Sequence, residues 1–271
     1  MTKTVKTPFS CKKGELTIRG HIYRADCAAH DSHDTLNSHD ATNSRKKPVI
    51  ILSHGFLGNG EQNSHYAETL VKLGYIALTF DFNGGGPAST SSGKSIDMTV
   101  LTEKEDLLAV VKYAESLEDA DIQNISLMGF SQGGFVSALV AAELKDRIKQ
   151  LVLFFPALCI PDDARKGNML IMNFDPNNIP PVICQEPMII GRDYALVAQK
   201  LDPYKEISGF TGKSLIIHGT ADDAVSVEYS RKAKNVYKNL VYKEIEGAGH
   251  GFTGTADEEA IRILTDFCKI G

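Results

Sequence analysis

Gly129-Phe130-Ser131-Gln132-Gly133 places a serine between two glycines, directly after the apolar run Ile125-Ser126-Leu127-Met128 and before residues of helical spacing. A sharp strand-to-helix turn lifts a serine Oγ above a sheet, and glycines two positions to either side leave room where a Cβ would collide. A serine hydroxyl is a weak nucleophile until a base takes its proton, and the base needs a carboxylate to orient it. The motif therefore predicts acyl transfer through Ser131, with an acid and then a histidine further along the chain. Both follow in that order. His218-Gly219-Thr220-Ala221-Asp222-Asp223-Ala224-Val225 comes after the apolar run Leu215-Ile216-Ile217, and either Asp222 or Asp223 has the reach to orient an imidazole. Glu246-Gly247-Ala248-Gly249-His250-Gly251-Phe252 comes after the run 241–245, and His250 alone among eight histidines sits in a glycine-flanked loop behind the last strand. His218 is expected to support the acid turn by hydrogen bonding rather than to move protons.

Acyl transfer also creates an oxyanion, which calls for backbone donors already aimed at it. One is expected from Gln132, the residue after the nucleophile, at a helix N-terminus whose dipole favours negative charge. The second is expected from Phe56, within Ser53-His54-Gly55-Phe56-Leu57-Gly58 after an early strand. Only the N–H of Phe56 is needed there, which frees its ring to form a wall of the acyl pocket.

These groups must be held by a regular scaffold. Val49-Ile50-Ile51-Leu52, Ile76-Ala77-Leu78-Thr79-Phe80, Ile125 to Met128, Leu151-Val152-Leu153-Phe154-Phe155 and Leu215-Ile216-Ile217 are short apolar runs, as strands covered on both faces must be. Residues 66–73, 101–117 and 135–144 between them have helical spacing. Strand alternating with helix predicts a parallel sheet with helices on both faces, and ligands on such sheets bind beyond the carboxyl ends of the strands, where all these motifs fall. Residues 16–23 read as an edge strand. Residues 25–47, rich in Asp, Asn, Ser and His, read as a solvated hairpin insertion and flexible loop in which His30, His33 and His39 have no apolar frame for a metal site. Residues 157–203 break the rhythm with Pro161, Pro176, Pro180, Pro181, Pro187 and Pro203 among bulky apolar side chains, which predicts a small cap inserted between two strands.

The 271 residues suit one α/β domain carrying these insertions. Apolar residues make up 42% and charged residues 23%, and no apolar run approaches the roughly 20 residues of a membrane span. The N-terminal residues lack an apolar signal-peptide core, so a cytoplasmic setting is expected. Five scattered cysteines with no C-x-x-C pair argue against a disulfide framework or a zinc site. A net charge of −5 without a Lys/Arg block offers no footprint for nucleic acid.

Taken together these residues resemble the α/β-hydrolase superfamily from about Pro48 onward, and within it the bacterial cinnamoyl and feruloyl esterases. The likeness rests on His54-Gly55-Phe56, Asp81-Phe82-Asn83-Gly84, Met98-Thr99-Val100-Leu101, Ser131-Gln132-Gly133-Gly134, Asp163-Ala164-Arg165-Lys166-Gly167-Asn168, Asp175-Pro176-Asn177 and His218-Gly219-Thr220-Ala221-Asp222. It implies an α/β-hydrolase fold, Asp222 as the acid, and a cap that walls a pocket for an aromatic acyl group. It also implies that Asp163 and Tyr194 reach the phenolic end of the substrate. Three positions depart from the family's pattern. Phe130 stands where relatives usually have His, Leu170 takes a place that is polar in relatives and so removes a hydrogen bond to a hydroxylated ring, and residues 84–90 replace a Gly-His-Gly-x-Ser segment.

The expectation is a serine carboxylesterase acting on small aromatic, hydroxycinnamate-type esters, with no metal or organic cofactor and no nucleic-acid or membrane partner. A homodimer is left open. A peptidase, thioesterase or acyltransferase would share the acyl-enzyme, and a ligand-binding protein could keep the fold without turnover.

Overall fold

The computed structural model describes residues 3–26 and 46–269. Its first two strands, β1 (Thr4–Lys13) and β2 (Leu16–Ala25), fold back on each other through the two-residue turn Gly14-Glu15, where Gly14 takes a φ of +56°. Such a turn needs positive φ, which glycine adopts without steric cost. The chain then alternates: β3 (Lys47–Ser53), α1 (Ser64–Lys72), β4 (Ile76–Asp81), α2 (Val100–Glu115), β5 (Ala120–Phe130), α3 (Gln132–Leu144) and β6 (Gln150–Phe154). The segment after β6 carries α4 (Ile160–Lys166), the hairpin β7 (Asn168–Met169) and β8 (Met172–Asn173), the pair β9 (Val182–Cys184) and β10 (Ile190–Gly191), α5 (Arg192–Gln199) and α6 (Pro203–Ile207). The core closes with β11 (Lys213–Gly219), α7 (Val227–Ala233), β12 (Leu240–Ile245) and α8 (Thr255–Cys268).

Eight strands form one sheet in the order β1-β2-β4-β3-β5-β6-β11-β12, with β2 antiparallel to both neighbours and every pair from β4 to β12 parallel. The run 241–245 falls in β12, and the five apolar runs read from the sequence are the other five parallel strands. Their continuity has a simple cause: alternate residues point to opposite faces and both faces are covered. Ile50 and Leu52 pack with α1 and α8, whereas Val49 and Ile51 pack with α2 and α3. In α8 the buried residues Ala260, Ile263, Leu264 and Phe267 recur at i, i+3, i+4 and i+7, the spacing of one helical face. Each fully buried Leu or Ile on these faces contributes on the order of 2 kcal/mol.

Two sequence expectations need correction. Residues 16–23 are not the sheet's edge: β2 pairs with β1 on one side and β4 on the other, and the edge is β1. Its mixed polar spacing reflects an outer antiparallel ribbon rather than an edge. Residues 25–47 do not link a hairpin, because β2 and β3 are separated in the sheet by β4. Most of that segment, with Cys27, His30, His33 and His39, lies outside the described residues. Among the described residues no helix is long and apolar enough to cross a membrane.

Inside residues 157–203, α4 and α5 are tied together by side chains that satisfy backbone carbonyls. Arg165 Nη1 donates to the carbonyls of Gln199 and Leu201, both at 2.9 Å, and Gln199 Nε2 donates to those of Ala164 (3.0 Å) and Pro176 (3.1 Å). The prolines thus punctuate an ordered insertion between β6 and β11.

Candidate active site

Ser131 ends β5 and starts α3 with φ 52° and ψ −120°, a conformation that residues with a Cβ rarely adopt. Four hydrogen bonds hold it there. Its N–H donates to the Phe154 carbonyl at 3.0 Å, and its carbonyl accepts from the amides of Gly134 (2.9 Å), Phe135 (3.2 Å) and Ala157 (2.9 Å). The flanking glycines are sterically required. A Cβ on Gly129 would lie 2.2 Å from the Gly133 carbonyl oxygen, and one on Gly133 would lie 2.2 Å from that of His54.

The loops after β11 and β12 bring the acid and the base to this serine. His250 Nε2 lies 3.0 Å from Ser131 Oγ, and His250 Nδ1 lies 2.8 Å from Asp222 Oδ2. Asp222 Oδ1 accepts from the amides of Ala224 (3.0 Å) and Val225 (2.8 Å), and His218 Nε2 stands 3.2 Å from Oδ2. Burial alone would raise the Asp222 pKa, but the bonds from His218, His250 and the Val225 amide outweigh it and hold the carboxyl well below its usual range. His218 Nδ1 lies 2.7 Å from Ser230 Oγ, so this buried ring braces the acid from behind, in the supporting place expected for it. Asp223 is exposed and makes no such contact.

On the other side, Gly55 approaches so closely that a Cβ there would lie 3.2 Å from Ser131 Cβ, which brings the Phe56 loop against the serine. The buried His54 fixes this loop. Its Nε2 accepts from the Phe82 amide at 3.1 Å, leaving the proton on Nδ1 for the Gly55 carbonyl at 2.8 Å. Burial lowers the His54 pKa, in keeping with that neutral tautomer. Among the described residues, neither the Phe56 nor the Gln132 amide donates to a protein acceptor.

A feature that sequence reasoning missed lies beneath Gln132. Its side-chain Nε2 donates to Glu103 Oε2 at 2.8 Å, and its Oε1 accepts from the Tyr194 hydroxyl at 2.5 Å. Both ends of the amide are therefore fixed, by α2 on one side and α5 on the other. The signal for Glu103 was present: it shares the helical face of Val100, Leu107, Val110 and Ala114, where an acid must be paired or protonated. Burial pushes its pKa up to about 8, against the opposing bond from Gln132. Between the ordinary value near 4.5 and about 8 the folded protein binds the proton that the unfolded chain releases, so stability falls as pH rises through that window. Glu103→Gln keeps the acceptor for Gln132 and removes the titration. Melts of the two proteins at pH 5 and pH 9 should show the variant losing roughly 5 °C less over that interval.

Above Ser131 opens a cleft of about 610 Å³, counting its open mouth, within the usual size of small-molecule sites. Ser131, Gln132, His250 and Phe56 line one end, and Ile160, Met169, Met172 and Tyr194 give it apolar walls. Asp163 also lines it, half-buried within α4; desolvation raises its pKa, with the Cys159 thiol opposing the shift by a hydrogen bond. Leu170 sits at the rim, 56% exposed and at φ 51° in the turn between β7 and β8. Among the described residues no group of three His, Cys, Asp or Glu side chains is placed to hold a metal ion.

Residues 48–168 match the alpha/beta hydrolase fold family. The structure of Est1E from Butyrivibrio proteoclasticus with bound ferulic acid aligns over 95% of this chain and 97% of that one, at 30% identity and a TM-score of 0.80. A second Est1E structure aligns at 28% identity with a TM-score of 0.77, covering 96% of this chain and 98% of that one. Among curated proteins, an uncharacterized 31.7 kDa protein of the traX-finO intergenic region of Escherichia coli is 33% identical over 108 residues, 40% of this chain and 36% of that relative. The chain spans about a third of the length of the curated relatives it matches first.

Proposed function

The chain belongs to the α/β-hydrolase superfamily, and from that premise we propose that it is a serine carboxylesterase acting on small aromatic esters of the hydroxycinnamate type. The observation that carries the reading is the unbroken relay from Ser131 through His250 to Asp222, at 3.0 and 2.8 Å, opening onto a cleft shared with Asp163. Ser131 Oγ attacks the ester carbonyl while its proton passes to His250 Nε2. Asp222 holds the Nδ1–H and stabilises the imidazolium. The oxyanion accepts hydrogen bonds from the Phe56 and Gln132 amides. Collapse breaks the bond from carbon to the alcohol oxygen, and His250 returns the proton to the departing alkoxide. Water then attacks the acyl-enzyme, giving its proton to Nε2, and the carboxylic acid leaves as Ser131 regains its hydrogen. We keep the cytoplasm as the compartment for this reading; the described cysteines, Cys11, Cys159, Cys184 and Cys268, are free thiols.

The acyl end favours a flat ring with a free hydroxyl. Ile160, Met169 and Met172 supply apolar, adaptable walls. Tyr194 has committed its proton to Gln132, so toward a ligand its oxygen can only accept. Asp163 is likewise an acceptor when ionised, and the two suit a phenolic O–H. Leu170 adds no polar contact.

Wild type should therefore turn over methyl 4-hydroxycinnamate about tenfold faster in kcat/KM than methyl 4-methoxycinnamate, and Asp163→Asn should bring the ratio close to one. An aliphatic methyl ester of similar length serves as the reference. Equal kcat/KM for the aromatic and aliphatic esters would overturn the aromatic assignment, and faster turnover of the matching amide or thioester would overturn the esterase reading.

A further inference from the structure

Ser131 and His250 stand where two clefts meet. The first runs under the inserted segment and includes Gln132. The second, of about 660 Å³ including its open side, runs the other way, between the start of α1 and the loop that carries His250. Its walls are aromatic: Tyr66, Phe130, Phe155 and Phe252 all line it. Tyr66 lies against Phe130 with ring centroids 5.1 Å apart, and Phe155 meets Phe252 edge-on at 5.0 Å and the His250 ring at 4.8 Å. Phe155 has a φ of 39°, and this strained residue directly follows β6.

One polar side chain in this cleft is idle. Asn63 is at the N-cap of α1 yet makes no capping bond, is only 6% exposed, and lines the cleft with its Nδ2 buried and unpartnered. Among the described residues no protein group accepts from that Nδ2. A buried N–H donor without a partner is destabilising, a deficit that a ligand oxygen can remove. Among the described residues no lysine or arginine lines the cleft. The Tyr66 hydroxyl donates to Asp257, which puts a carboxylate behind that wall. The surroundings thus favour a neutral occupant over an anionic one.

We propose that this second cleft is the binding site for the alcohol half of the ester, and that it takes neutral alcohols with an aromatic or apolar body and one hydrogen-bonding oxygen within reach of Asn63. The proposal rests on the esterase reading above. At the tetrahedral carbon the acyl group and the leaving oxygen must point in different directions from Ser131 Oγ. With the acyl group under the inserted segment, the alcohol has the second cleft. There the leaving oxygen lies beside His250, whose Nε2–H must reach it as the bond from carbon to oxygen breaks.

The test uses four esters of one acid, cinnamate, with methanol, benzyl alcohol, n-butanol and 2-methoxyethanol. All four form the same acyl-enzyme, so alcohol recognition shows in kcat/KM, which reports the acylation half. Phe252→Ala should lower the benzyl-to-methyl ratio of kcat/KM about tenfold, as expected for loss of one aromatic wall. Asn63→Ala removes an Nδ2 that has no partner among the described residues and should abolish an approximately fivefold preference for the 2-methoxyethyl over the n-butyl ester, two groups of near-equal shape. Unchanged ratios in folded, active variants would overturn the site. So would effects that follow the acid while the alcohol is held constant, since they would place the acyl group in this cleft. Failure of the wild type to hydrolyse any of the four would instead overturn the esterase reading on which the site depends.

Discussion

Ser131→Ala should lower kcat/KM for short p-nitrophenyl esters by about ten-thousand-fold or more and leave the fold intact. The magnitude follows from the loss of the nucleophile, because the remaining machinery can only direct water at the ester. Alanine keeps the Cβ and therefore the same backbone requirement at φ 52°, and the four backbone bonds that hold the turn do not involve the hydroxyl. Melting temperature should stay within about 2 °C of wild type. Product affinity, measured by calorimetry with the free acid, should also persist, since the Phe56 and Gln132 amides and the apolar walls remain. A variant that binds the acid, melts normally and no longer reacts with a fluorophosphonate probe isolates Ser131 as the nucleophile. Retained turnover would remove it from that role.

Asp222→Asn is expected to be nearly as damaging to rate and also to cost stability. The carboxylate faces four N–H donors: the Ala224 and Val225 amides, His218 Nε2 and His250 Nδ1. An amide in its place can satisfy one pair only by turning its own NH2 toward the other. If the NH2 faces the imidazoles, His250 must shift its proton to Nε2, where it can no longer accept from Ser131. A loss of about ten-thousand-fold in kcat is the expected scale for a wrong tautomer. Stability carries a pH signature as well. Because the folded-state pKa of Asp222 is depressed, its contribution is complete above the ordinary carboxylate range and fades as pH falls through that range and below. Thermal melts should therefore show the largest deficit of the variant at pH 7 and a shrinking one toward pH 3.5. A deficit that is constant with pH would mean that the carboxylate charge has no part in holding the turn.

The parallel strands were readable because burial on both faces leaves a local mark, an unbroken apolar run such as Val49 to Leu52. Helices α1 and α2 left theirs in 3.6-residue spacing, whereas α3 is buried on every side from Gln132 to Ala142, and the order of Ser131, Asp222 and His250 is a property of the chain itself. β1 was not readable, because its residues are mostly exposed and alternate without a clear apolar face. The same weakness made β2 resemble an edge. Residues alone left Asp222 and Asp223 open, and the family resemblance chose Asp222; in the structure Asp222 is the one within 2.8 Å of His250.

Sequence by itself thus determined the rhythm of strand and helix, the turn at Ser131 and the chemical types available to it. These depend on steric and hydrophobic rules acting over a few neighbouring residues. Tertiary structure alone decided what surrounds the serine. Tyr194 and Gln132, 62 positions apart, meet in a hydrogen bond that turns an expected substrate contact into a brace with only an accepting oxygen left. Glu103 closes that brace from another helix. Asn63 and Phe252, from opposite ends of the chain, share a cleft with His250. No local pattern encodes such meetings, because they are set by the order of strands in the sheet and by which loops that order brings together over β5.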